Sequence, residues 1–98
     1  MARFISLITF TEQGVKNIRD TMKRGAAFKA AAKKMGIKVQ DEYWTLGPID
    51  GVLIFDAPDG ETATAAMLQL SSLGNVKTQT CRAFEGAEME AIIGKLGK

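Results

Sequence analysis

Strict alternation opens the chain. Phe4, Ser6, Ile8 and Phe10 fall on one side of residues 3–10, and Arg3, Ile5, Leu7 and Thr9 on the other. That period belongs to a strand. Thr11 follows where a helix N-cap belongs, with Glu12 and Gln13 in the first turn. A hydroxyl accepts from the free N–H groups there, and an acid suits the positive end of the helix dipole. Val15 and Ile18 give the first apolar contacts. Gly14 and Gly25 weaken the helix and Thr21 reads as a second cap, so a bend and restart are predicted there. Phe28, Ala31, Ala32 and Met35 form a stripe at helical spacing, and Gly36 stops it. A second strand is predicted over 37–46, with Val39, Tyr43, Trp44 and Leu46, before the turn at Gly47-Pro48. A third, over 50–57, is apolar on both faces through Val52, Leu53, Ile54 and Phe55. Asp59 caps a helix from Glu61 to about Leu73, with Ala63, Ala66, Met67 and Leu70 inward, and Gly74 ends it. A fourth strand over 75–84 precedes a last helix over about 87–96. There Met89, Ile92, Ile93 and Leu96 sit at i, i+3, i+4 and i+7.

The order β-α-β-β-α-β-α predicts an α+β chain, ferredoxin-like βαββαβ plus a C-terminal helix, as one domain over residues 1–98. Its four-stranded antiparallel sheet takes the order 4-1-3-2. Right-handed crossovers put both main helices on one face. The other face stays open, yet the central strands carry Ile5, Leu7, Val52 and Ile54 there. A solvated face should be polar. A covering partner is expected, and a second copy, sheet against sheet, is the economical one. That gives a homodimer of dimeric α/β-barrel type.

Composition narrows the chemistry. An apolar fraction of 46% rules out disorder. A net charge of +2 makes no case for nucleic acid or membrane. The chain has no histidine, which removes His-based acid–base catalysis, Ser-His and Cys-His pairs, His metal sites and a proximal haem ligand. The single cysteine, Cys81, removes an internal disulfide and multi-Cys metal sites. No cofactor and no metal is called for. The apolar start is broken by Ser6 and Thr9 and lacks a cleavage site, so it reads as a strand and not a signal peptide. No stretch reaches the roughly 20 apolar residues that span a bilayer. A cytoplasmic protein is expected.

Several blocks together resemble the GYD-domain family. They are 11–18 (Thr11-Glu12-Gln13-Gly14 onward), 43–47 (Tyr43-Trp44-Thr45-Leu46-Gly47), Ala57-Pro58-Asp59, and 74–84 from Gly74-Asn75 to Ala83-Phe84. The resemblance covers nearly the whole chain. The family's Gly-Tyr-Asp signature lies in the turn between strands two and three. Here Gly47 and Asp50 match, and Ile49 holds the tyrosine's place, so no phenol acts there. The resemblance implies a small bacterial or archaeal cytoplasmic protein of ferredoxin-like, dimeric barrel type. It implies no reaction.

Five residues are candidates for ligand binding, and each has a structural alternative. Arg24 lies towards the buried side of its helix. It is either a snorkelling arginine whose head reaches water or a helix end, or an anion-binding group at a cavity edge. Tyr43 and Trp44 are adjacent on a strand and point to opposite faces. They are pocket aromatics or plain packing. Asp50 is a turn carboxylate or a general base at a pocket mouth. Arg82 shares a face with Thr78 and Thr80, and serves a sheet edge, a dimer salt bridge or an anionic ligand. Cys81 has no basic partner on its face and reads as a small buried residue. Residues 16–38 carry eight bases and one acid, Asp20. Without interleaved aromatics or a recognition motif, this is a solvated helix face and not a nucleic-acid site.

Three functions are compatible with this reading. The first is a non-catalytic homodimer that binds a small apolar or aromatic molecule between sheet and helices. The second is a cofactor-independent enzyme of monooxygenase or isomerase type, with Asp50 as base, Tyr43 as donor and Arg82 as anion stabiliser. The third is a structural or regulatory module that forms larger oligomers through a free edge strand.

Overall fold

The computed structural model describes residues 1–97. Its elements run β1 (Ala2–Phe10), α1 (Glu12–Lys16), a 3-10 turn (Ile18–Asp20), α2 (Thr21–Lys34), β2 (Lys38–Trp44), β3 (Gly51–Ala57), α3 (Gly60–Ser72), β4 (Val76–Ala83) and α4 (Gly86–Ile93). The four strands form one antiparallel sheet in the order β2-β3-β1-β4. That is the predicted α+β arrangement, with β1 and β3 central.

Two of the caps act as read, while Thr21, expected as a second cap, is instead the first residue of α2, behind Asp20, and its hydroxyl donates back to the Ile18 carbonyl. Thr11 accepts from the Gly14 N–H, and the Asp59 carboxylate accepts from the Thr62 N–H at 2.7 Å. The Thr62 side chain and N–H hold the Asp59 carboxyl below the usual carboxylate range. The helix bends between α1 and α2, where Thr21 restarts it. α2 ends before Gly36, whose φ of +79° is the left-handed conformation glycine adopts freely.

The core lies between the sheet and α2 with α3. Phe4, Leu53, Phe55 and Ala57 face Ala32, Ile37, Ala63, Ala66 and Met67. The Phe4 and Phe55 rings stack at 5.5 Å. Ser6 is the buried polar side chain in this layer, and it accepts from the Thr80 hydroxyl at 2.8 Å.

On the open face Ile5, Leu7, Val52 and Ile54 are only half-buried. β1 pairs Ile5 with Ile54 and Leu7 with Val52 at the centre of the sheet. At one end Arg3 grips Asp56 through Nε and Nη2, at 2.9 and 3.2 Å, and Gln40 donates to the same carboxylate at 2.7 Å. The Arg3 contact, with the amide of Gln40, holds the Asp56 carboxyl below its ordinary range. Cys81 corrects the sequence reading: it is exposed, not buried. It stands opposite Ile5 on the edge strand β4, on the face no helix covers, so no second layer of this chain reaches it.

α4 departs from the body. None of its residues is buried. The Cα radius of gyration is 15.0 Å, against about 13 Å for a compact chain of this length. α4 is the part not gathered in.

Candidate functional site

A cavity of about 350 Å³ lies between α2 and the sheet. α2 contributes Thr21, Arg24, Gly25, Ala27, Phe28 and Ala31 to its lining. The remaining walls are Ile8 and Phe10 from β1, Trp44 from β2, Leu53 from β3, and Leu70, Leu73 and Val76 from α3 and the start of β4. An apolar cleft of this size with few polar groups suits a small organic molecule.

Two charged side chains stand among the walls. Arg24 donates through Nη1 to the Asn17 carbonyl at 2.7 Å and through Nη2 to the Thr21 hydroxyl at 3.3 Å. Asn17 closes α1, so the guanidinium serves a helix end and the cavity edge together. Glu42 is mostly covered and pairs with Lys29 of α2 at 2.9 Å. Sequence reading missed Glu42. The signal was present: alternation puts Glu42 on the same face as Trp44 and opposite Tyr43.

The five candidate residues do not meet. Arg24 and Trp44 share the cavity. Tyr43 pairs with Val52 on the open face and is exposed. The Asp50 carboxylate accepts from the Phe10 N–H at 2.8 Å, and the Asp50 N–H donates to the Ile8 carbonyl at 2.9 Å. Its place in the β2–β3 turn is fixed by those bonds to β1. Arg82 sits on the other edge strand and the helix side, beside a second groove lined by Phe4, Met67 and Thr80. Its guanidinium lies 4.5 Å from the Phe84 ring centre and 5.9 Å from that of Phe4, and pairs with Glu88 at 3.2 Å. Tyr43 and Arg82 therefore occupy opposite edges and opposite faces of the sheet, and with Asp50 they form no joint site within one chain.

A clamp closes one end of the cavity. Thr11 N–H donates to the Asn75 carbonyl at 3.0 Å, the Thr11 hydroxyl to the Gly74 carbonyl at 2.5 Å, and the Gln13 amide to the Leu73 carbonyl at 3.0 Å. Leu73, Asn75 and Val76 also line the cavity. A side chain at Gly14 would bring Cβ within 2.0 Å of the Asn75 oxygen. These are two of the blocks that carried the family resemblance, and here they bind each other.

Among the described residues no helix is long and apolar enough to cross a membrane. The chain is similar to a Thermus thermophilus protein described as a glutamine synthetase and cystathionine β-lyase binding protein, 35% identical over 92 residues, covering 93% of this chain and 97% of that one. The crystal structure of TTHA0845 from Thermus thermophilus matches with a TM-score of 0.56 and 25% identity, over 88% of this chain and 96% of that chain. The crystal structure of MtbAldR matches with a TM-score of 0.58, over 89% of this chain and 58% of that longer one. At 16% identity it shows the fold alone. The model of the GYD domain matches residues 4–93, and the chain belongs to the GYD domain family.

Proposed function

We propose that this is a non-catalytic binding protein that takes a small apolar or aromatic molecule into the cavity beneath α2. The cavity itself carries the reading: its walls are Phe10, Phe28, Trp44, Leu53 and Leu70, with Arg24 and Glu42 as the charged groups beside them. The dispersal of Asp50, Tyr43 and Arg82 speaks against the enzyme alternative. Trp44 is the one tryptophan of the chain and lines this cavity while 45% exposed, so its emission responds to a molecule bound there. Indole-free aromatics such as naphthalene derivatives should shift or quench that emission saturably. Ala31→Phe, which fills the space, should abolish the response. No saturable response across such a panel would sink the reading.

The protein works as a cytoplasmic homodimer in this proposal, with the open faces apposed. Four half-buried aliphatic side chains at the sheet centre support it. A second reading is favoured by the Thermus relative, which is described as binding glutamine synthetase and cystathionine β-lyase. By that likeness the chain docks on an enzyme, and the cavity ligand would set whether it does. Co-sedimentation with glutamine synthetase and with cystathionine β-lyase, with and without a cavity ligand, tests this. Free migration of all components under both conditions removes it.

A further inference from the structure

We propose that α4 is a docking arm whose apolar stripe packs on a second copy of this chain and enlarges the sheet-to-sheet contact. The inference rests on the homodimer reading above. Met89 and Ile93 are 47% and 52% exposed, and Leu96 beyond the helix is 72% exposed. With Ile92 they follow one helical face. An eight-residue helix has no lasting stability of its own, because helices under about 12 residues are marginal without packing. Its own chain half-covers Ile92 and leaves Met89, Ile93 and Leu96 open.

The arm is nevertheless held in a fixed direction. Its first turn is closed by a capping box between Glu85 and Glu88. Arg3 pairs with Glu85 at 3.0 Å and Arg82 with Glu88 at 3.2 Å. Arg82 also donates to the adjoining Ala83 carbonyl. An element ordered in advance loses less freedom on docking. The acids of the first turn are spent on that anchor, which leaves the stripe as the contact surface.

Area selects a second copy as the occupant. Strands of seven to nine residues make a face about 25 Å long, and four of them span about 17 Å. Apposed faces therefore bury roughly 800 Å² in total, below the about 1,200 Å² at the low end of stable interfaces. Two arms supply the missing area. Each copy has one deficit and one arm, so a two-fold exchange uses both and closes.

Sedimentation equilibrium on the full chain tests this with two variants, Met89→Asp/Ile93→Asp in the arm and Ile54→Asp on the face. The intact chain should dimerise, and both variants should dimerise at least about tenfold more weakly. The dilute arm variant should melt like the dilute intact chain. A face variant that dissociates while the arm variant keeps the intact Kd would overturn the arm and leave the dimer standing. A lowered melt of the dilute arm variant would place the stripe against its own body and overturn the arm equally. A monomeric intact chain at tens of micromolar would remove the dimer reading, and the arm with it.

Discussion

Gly14 lies where the first helix crosses the start of β4, and the Asn75 carbonyl occupies the space a side chain would need. A clash with backbone has no flexible partner to yield. Gly14→Ala should therefore cost about 1–3 kcal/mol, the range for forced overpacking. Gly60→Ala meets nothing within 4 Å and serves as the control. Urea unfolding of the two variants checks this, and equal midpoints would refute it. In the sequence Gly14 could be read only as a weak point in a helix, because its actual constraint comes from a residue 61 positions away. Thr11 and Asp59 were legible because capping is local chemistry. Cys81 was misread because composition favours burying cysteine, while its register on an edge strand decides otherwise. Glu42 was illegible as a site residue because a lone acid on a strand reads as a solvated position, although alternation puts it on the Trp44 face.

At the level of elements, periodicity placed all four strands and the main helices to within a few residues, and located the break before α2. It could not show that α4 stands apart, since an amphipathic stripe is the same string of letters whether or not something covers it. The seat of α4 depends on charge. The Glu85 N–H, together with the Arg82 guanidinium, holds the Glu88 carboxyl below its ordinary range. Arg3 does the same for Asp56 at the adjoining sheet end. A carboxyl whose pKa is depressed on folding contributes its stabilisation fully above its unfolded pKa, about 4, and loses it as pH falls through the lower folded value. The protein should thus weaken from about pH 4 downward. In Asp56→Asn/Glu88→Gln, stability should start lower at neutral pH and fall less steeply over the acid limb. Urea titrations at a series of pH values measure both slopes, and parallel slopes would discard this account.

On the scale of the whole molecule, the sheet with two helices on one side followed from topology rules and a count of strands. The cavity did not. Gly25, Ala27 and Ala31 are among its lining residues, and small residues in a helix read equally as close packing. Only the distance between layers tells the two apart. The candidate site was therefore half legible: Arg24 and Trp44 are in it, and Tyr43, Asp50 and Arg82 serve other places.

The clamp between Thr11, Gln13 and the Leu73–Asn75 turn has a consequence for exchange with solvent. Leu73 and Asn75, which accept two of its three hydrogen bonds, also wall the cavity, so opening the seam and emptying the cavity are linked equilibria. A molecule bound at 100 times its dissociation constant adds about 2.7 kcal/mol to the cost of any opening that releases it. The Thr11 amide, whose hydrogen bond to Asn75 closes this seam, thereby becomes a gauge of occupancy: its proton is surrendered to water less often whenever the space beneath α2 is full.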